Sequence, residues 1–338
     1  VEFFDLGMVV VDEQHRFGVE QRDALRSKAR DGTSPHLLVM TATPIPRTIA
    51  MASLGDLETS TLTELPRGRA PIISKVVSAR DKPGWVDRAW ARIREEVAAG
   101  RQAYVVCSRI GGDDDEEKKK PRTRTAAHDD EKNLPETKAA LEMFEMLSAG
   151  PLADVRVGLL HGRMHPDEKD ASMQDFNAGA IDVLVCTTVV EVGVDVPNAT
   201  VMVIIDADRF GISQLHQLRG RIGRGGHQGL CIMISQLSSN GPSFARLEAV
   251  AATNDGFELA TLDLRTRREG DVLGAAQSGT VSSMRLLSLI DDEPIIADAH
   301  LCARRLFEID PEMSSHPGIA TMMKSAWRSD RAEYLEKS

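Results

Sequence analysis

Asp12-Glu13-Gln14-His15 stands directly after an apolar run, Leu6 to Val11. A carboxylate at the end of a buried strand suits Mg²⁺, a hard cation that takes oxygen ligands and keeps several waters. Its acidic neighbour suits the task of orienting and deprotonating a water that attacks a γ-phosphate. Adjacent acids at a strand end also occur in plain loops, so this pair alone leaves both readings open.

A second group runs from Gln214 to Arg224, QLHQLRGRIGR. On a helix, Gln217, Arg221 and Arg224 are spaced by four and three and so project from one face. An amide and two guanidinium groups there suit the spread charge of a phosphoryl-transfer transition state when they approach from a facing domain. A solvated basic helix is the plainer alternative. It would not need Gly220 and Gly223, each of which costs about 1 kcal/mol in a helix interior relative to alanine.

Smaller groups lie between these two. Thr41-Ala42-Thr43-Pro44 puts two hydroxyls at a strand end before a proline-marked helix start, where backbone N–H groups take an anion. Thr187-Thr188 precedes Glu191-Val192-Gly193-Val194-Asp195, which combines hydroxyl donors with a glycine that permits close backbone approach. Each is weak singly, and a plain turn accounts for either. His161-Gly162-Arg163 reads as a structural histidine beside an arginine placed to position DNA phosphate. His15 and His216 belong to the two strong groups and are expected to meet across a cleft.

The elements that must position these residues are short β-rich runs: Leu6 to Val11, Leu37 to Met40, Ala103 to Cys107, Val155 to Leu160, Val183 to Cys186, Val201 to Ile205 and Leu230 to Ile234. Helical patterns fall between most of them, notably at 137–148 and 167–178, which implies βαβ units and a mostly parallel sheet. Asp12-Glu13, Thr41, Ser108-Arg109, His161, Thr187-Thr188 and Asp206 each follow a strand, where open parallel sheets bind ligands. Pro66 to Pro71 breaks the pattern as a linker would and separates two sheets, the first of them only a remnant. The stretch 111–133, acidic at Asp113 to Glu117 and basic at Lys118 to Lys120, has no periodicity and reads as a solvated, mobile insertion. After Ser238 the pattern turns helical, and from Leu286 a small helical appendage is expected.

With 338 residues, 42% of them hydrophobic, the chain is long enough for two cores. Its cysteines, Cys107, Cys186, Cys231 and Cys302, stand singly, which excludes a C-x-x-C metal cluster and fits a reducing cytosol. A net charge of −10 excludes coating of DNA by bulk electrostatics and confines any grip on phosphates to local surfaces. No apolar stretch approaches the roughly 18 to 20 residues that span a bilayer, and the chain, opening on Val1 without an initiator Met, reads as beginning mid-protein.

In order, DEQH, TAT, VVCSR, LHGRM, CTTVVEVGVDVP and QLHQLRGRIGR resemble motifs II, III, IV, IVa, V and VI of superfamily 2 helicases. Within that superfamily DEQHRFGVEQR, TATPIPRT and ELPRGRAP resemble the RecG family. The Mfd translocases share much of this core but usually show DEEHRFG, HGQM and ETGIDIP. The RecG resemblance implies an α/β fold in which the rest of a first RecA-like domain (1–70) precedes a complete second one (71–238), a helical-hairpin translocation motif (239–285) and C-terminal helices (286–338).

It also implies an enzyme that hydrolyses ATP to translocate on double-stranded DNA and remodel forks and Holliday junctions. Asp12, Glu13, Gln14, His15, Arg221 and Arg224 would be catalytic, Asp12 and Glu13 would hold Mg²⁺, and Gln217, Gly193 and Asp195 would bind nucleotide. Thr41, Thr43, Arg109, Arg163, Thr187 and Thr188 would face DNA or couple it to the cleft, and Arg246, Arg267 and Gln277 would transmit the stroke. Arg268 stands where the family usually has glycine, which alters the local turn. The family setting is the bacterial cytoplasm and nucleoid, with a monomer acting on branched DNA and single-strand DNA-binding protein as a candidate partner. The phosphate loop G-x-x-x-x-G-K-[ST] occurs nowhere in the sequence, nor is there a wedge domain, so the chain alone is expected to lack ATPase activity. On its own it would then be a non-enzymatic module that binds DNA or a partner protein.

Overall fold

The computed structural model describes residues 6–12, 35–42, 60–62, 70–108, 134–188, 195–266 and 292–327. Glu13, Gln14, His15, Thr43, Arg109, Gly193, Arg267 and Gln277, together with the insertion at 111–133, lie outside the described residues. Two compact units form, one from 1–62 with 256–338 and the other from 63–255.

In the first unit, β1 (Met8–Val11) and β2 (His36–Val39) pair in parallel, with Val11 opposite Val39. The expected runs therefore shift by a residue or two at their ends.

The second unit is built on six parallel strands: β3 (Ile72–Ser78), β4 (Gln102–Val106), β5 (Val157–Leu160), β6 (Val183–Cys186), β7 (Ala199–Ile204) and β8 (Gly229–Ser235), side by side in the order β3-β8-β7-β4-β6-β5. Strand β3 was not expected from the sequence. Among the described residues it pairs only with β8, at one edge of the sheet, and the half-buried Ser74 and exposed Lys75 interrupt its apolar run. The central strands β4, β6 and β7 are buried at every position, the reason they read as continuous apolar segments.

Helices α1 (Gly84–Ala98), α2 (Leu134–Ala149) and α3 (Pro166–Asn177) carry the crossovers of this sheet. Helix α1 buries Ala89, Trp90, Ile93 and Glu96, a stripe at helical spacing. Its Glu96 is a buried carboxylate held by Arg92 Nη2 at 2.5 Å, by Arg101, and by the Thr200 hydroxyl, which donates at 2.6 Å. Burial pushes the Glu96 carboxyl up, but the hydrogen bonds from Arg101 and Thr200 and the charges of Arg92 and Arg101 outweigh it and leave it below its ordinary value. The amide of Gln102, buried at the start of β4, donates to the carbonyls of Phe176 and Ile181 and so fixes the end of α3 against the sheet. The core gathers Ile93, Val105, Leu147, Val183, Val201 and Ile234 with their neighbours. At about 1.5 to 3 kcal/mol for each large apolar side chain removed from water, these layers supply the main drive for folding.

The remaining helices are α4 (Ile212–Arg219), α5 (Pro242–Ala252), α6 (Gly256–Thr266), α7 (Glu293–Ile309) and α8 (Pro317–Trp327). The last three lie in the first unit. Between α7 and α8, Asp310 accepts hydrogen bonds from the backbone N–H groups of Ser314 and Ser315 and pairs with His316 Nδ1 at 3.1 Å. Cys107, Cys186 and Cys231 are buried and Cys302 is exposed. Among the described residues no helix is long and apolar enough to cross a membrane.

Candidate functional site

The parallel register of the second unit aligns the strand ends in a row. Val106 lies beside both Cys186 and Ile204, Leu160 beside Cys186, and Ile204 beside Met233. Ser108, His161, Thr187 and Asp206 therefore emerge along one edge of the sheet, as their positions after apolar runs led one to expect. Chain connections leave β4 and β7 in opposite directions, and a crevice opens between the ends of two such strands. A cavity of about 300 Å³ lies there, lined by Cys107, Ser108, Met143, Met146, Ile205 and Asp206 among others. The Ser108 hydroxyl donates to Asp206 Oδ2 at 3.4 Å across its floor. Asp206 holds φ 50° and ψ 49°, a left-handed conformation that an aspartate tolerates better than most residues.

At the ends of β5 and β6, His161 Nδ1 and the buried Thr187 hydroxyl have no hydrogen-bond partner among the described residues. Buried polar groups are ordinarily paired, so each of these two calls for a water, an ion or a ligand as its partner. Burial holds His161 below its ordinary pKa, and the charges of Lys169 and Arg163 add to that. Arg163 is exposed in the turn that follows, which Lys169 braces by donating to the Gly162 carbonyl at 2.6 Å. Thr188 is half-buried beside Thr187.

The segment from Gln214 to Arg224 departs from expectation. Helix α4 ends at Arg219, Gly220 caps it, and Gly223 has φ 71°, a conformation that L-residues rarely adopt. Gln217 is therefore helical, whereas Arg221 and Arg224 stand on the turn beyond, and the expectation that all three share one helix face is corrected. Gly220 and Gly223 thus end the helix and turn the chain rather than weaken a helix interior. The turn is nonetheless held closely. Arg224 Nε donates to the Gly220 carbonyl at 2.9 Å, and its Nη1 lies 3.3 Å from Asp195 Oδ1. Gly225 presses on Pro197 so tightly that an added Cβ would lie 2.3 Å from the Pro197 carbonyl oxygen. Two of the expected nucleotide-side residues, Asp195 and Arg224, are thus brought together.

Arg246, on α5, is turned inward. Its Nη1 donates to the Phe210 carbonyl at 3.1 Å and its Nη2 to the Asp208 carbonyl at 2.5 Å. Asp208 in turn accepts from the Ser235 hydroxyl at 2.5 Å. The sequence reading overlooked Arg219 and Asp208. Arg219 looks like one more base in a basic run, and only its spacing from Ile212 and Leu215, which places it on the buried stripe of α4, signalled otherwise.

In the first unit, Met40 N–H donates to the Val11 carbonyl at 2.7 Å, so Asp12 and Thr41 both stand just past the last paired residues of adjacent parallel strands. Both are exposed. A carboxylate at a strand end suits Mg²⁺, which is commonly held through one or two carboxylates and water rather than by a cage. Among the described residues no group of three or more His, Cys, Asp or Glu could hold a metal by itself.

Comparison with known proteins adds independent evidence. Residues 133–226 match the helicase conserved C-terminal domain, and residues 253–330 match the family described as ATP-dependent DNA helicase RecG, domain 3, C-terminal. The ATP-dependent DNA helicase RecG of Mycobacterium leprae is 58% identical over 100% of the chain, and that of Bacillus subtilis is 43% identical over 92% of it. The chain belongs to the RecG family. It spans 44% of the length of the M. leprae RecG and 41% of that of the B. subtilis RecG. A solved structure of RecG bound to a three-way DNA junction superposes with a TM-score of 0.59 at 35% identity, covering 88% of this chain and 34% of that one. The six-stranded parallel sheet is accordingly the RecA-like sheet of a RecG C-terminal region.

Proposed function

We propose that this chain forms part of an ATP-driven motor that translocates on double-stranded DNA and remodels branched molecules such as forks and Holliday junctions. The observation that carries the proposal is the Arg224 turn. A glycine-terminated helix end, wedged on Pro197 and braced by Asp195, presents the Arg224 guanidinium in a fixed position, as stabilisation of a transferring phosphoryl group requires. The RecG that binds a three-way junction supports branched DNA as the substrate.

In this reading Arg221 and Arg224 stabilise charge on the γ-phosphate, while Gln217, Gly193 and Asp195 position the nucleotide. Asp12 and Glu13 hold Mg²⁺, which would neutralise charge on the phosphate oxygens, and Glu13 also takes the proton of the attacking water, with Gln14 and His15 completing the strand-end group. The Thr187 hydroxyl and His161 Nδ1, without a partner among the described residues, border the surface where Arg163 and Thr188 would meet the DNA backbone. Thr41, Thr43 and Arg109 face DNA or relay its presence to the nucleotide. Arg246, Arg267 and Gln277, within the hairpin segment at 239–285, transmit the stroke. The motor acts as a monomer in the bacterial cytoplasm and nucleoid, with single-strand DNA-binding protein as a candidate partner.

The test is ATP hydrolysis and strand separation by the full-length gene product on a synthetic branched junction. Both should depend on the junction, and Glu13→Gln should abolish both while leaving nucleotide binding in place. Turnover indifferent to DNA, or unaffected by Glu13→Gln, contradicts the proposal.

A further inference from the structure

Arg219 is a buried guanidinium, 2% exposed, that makes no ion pair among the described residues. Its Nη1 donates to the carbonyls of Val250 at 3.0 Å and Thr253 at 2.7 Å and lies 3.5 Å from the Ser74 hydroxyl. Its Nη2 meets His216 Nδ1 at 2.9 Å. A guanidinium only donates, so His216 Nδ1 accepts and the ring proton sits on Nε2. Burying an arginine without a carboxylate is costly and persists only where fixed acceptors compensate. One acceptor, the Val250 carbonyl, lies in the last turn of α5, where the helix leaves its carbonyls unpaired and its dipole is negative; the other, at Thr253, stands just beyond that helix in extended chain.

The reverse contact also exists. Arg246 of α5 reaches the carbonyls of Asp208 and Phe210, just before α4 begins. Helix α4 thus holds the end of α5, and α5 holds the approach to α4, each through a guanidinium that grips backbone. Backbone acceptors move only with the chain that carries them, so the end of α5 and the approach to α4 are tied from both sides. The end of α4 leads directly into Arg221 and Arg224, and Thr253 lies just before the second unit ends at Asp255.

We propose that Arg219 is a positioning residue that locks the nucleotide-facing turn to the exit of α5, so that a displacement at Arg221 and Arg224 is passed undiminished to the chain leaving the unit. This rests on the motor function proposed above. Burial holds the guanidinium below its ordinary pKa, consistent with a group selected for its hydrogen bonds rather than for an ion pair.

The experiment compares Arg219→Lys with the wild type in the full-length gene product, reading ATP hydrolysed per base pair unwound on a synthetic branched junction. Lysine keeps the charge but cannot span two carbonyls and an imidazole with one planar fork. Coupling between sites usually amounts to roughly 5-fold to 150-fold, so ATP consumed per base pair should rise about 5-fold or more, with KM for ATP within about 2-fold of wild type. Arg246→Lys should raise the same ratio, and the double variant should fall short of the product of the two, since both loosen the same tie. Arg219→Met offers a stronger version, and Arg219→Lys decides if it does not fold. A ratio equal to that of the wild type, including an equal fall in hydrolysis and unwinding, overturns the inference. A wild-type protein that shows neither activity on the junction overturns the motor function instead.

Discussion

Gly225→Ala tests how tightly the turn bearing Arg224 is built. An alanine Cβ would lie 2.3 Å from the Pro197 carbonyl oxygen and 3.0 Å from its carbon, both backbone atoms that no rotamer change can move aside. Ordinary contact begins near 3.4 Å, so the turn and the Pro197 segment must separate by about 1 Å. Forced overpacking of this kind costs about 1 to 3 kcal/mol. The same separation acts on the Arg224–Asp195 pair, which stands at 3.3 Å and brackets the wedge. Misplacing a catalytic group by about 1 Å lowers turnover on the order of 100-fold. Urea unfolding of the purified variant should therefore show the stability loss, and junction-stimulated ATP hydrolysis by the full-length gene product should fall by about two orders of magnitude with a smaller change in KM. A variant as stable and as active as the wild type would show that the wedge between the turn and Pro197 positions nothing.

Other consequences follow from burial. Thiol titration of the native chain should find Cys302 alone, because burial pushes the Cys107 and Cys231 thiols up to about 12 and Cys186 well above its ordinary value, while unfolded chain should yield all four; rapid modification of Cys107 in folded protein would contradict this. Because Glu96 has a folded pKa below its ordinary 4.5, its contribution to stability is complete above that value and is lost as pH falls through the lower, folded one. Unfolding free energy measured between neutral pH and pH 3 should fall less steeply for Glu96→Gln, which itself costs about 1 to 3 kcal/mol at pH 7 through partners left unpaired; identical slopes would remove Glu96 from the acid limb.

Much of the second unit was readable because burial on both faces writes itself into sequence: Val183 to Cys186 and Ala103 to Cys107 are apolar without interruption, and the polar residues after them mark the ligand-facing edge. Strand β3 was not readable, since an edge strand with Ser74, Lys75 and Ser78 satisfies only one neighbour and carries no such run. The helix was read too far at its C-terminal end. Spacings of four and three continue through Arg221 and Arg224, and only backbone geometry reveals that Gly223 adopts a positive φ and turns the chain. The role of Arg219 was invisible for another reason. Its acceptors are main-chain carbonyls at Val250 and Thr253, 31 and 34 residues away, and a carbonyl acceptor leaves no mark in residue identity.

Arg224→Ala in the full-length gene product, assayed for ATP turnover on a branched DNA junction, bears most directly on the motor. An arginine that stabilises the transferring phosphoryl group contributes about 10³-fold or more, and turnover should fall by that factor while the protein still binds the junction. Turnover within a few-fold of the wild type would remove the phosphate-facing role from this turn, and with it the reading of the chain as the second half of an ATP-driven engine.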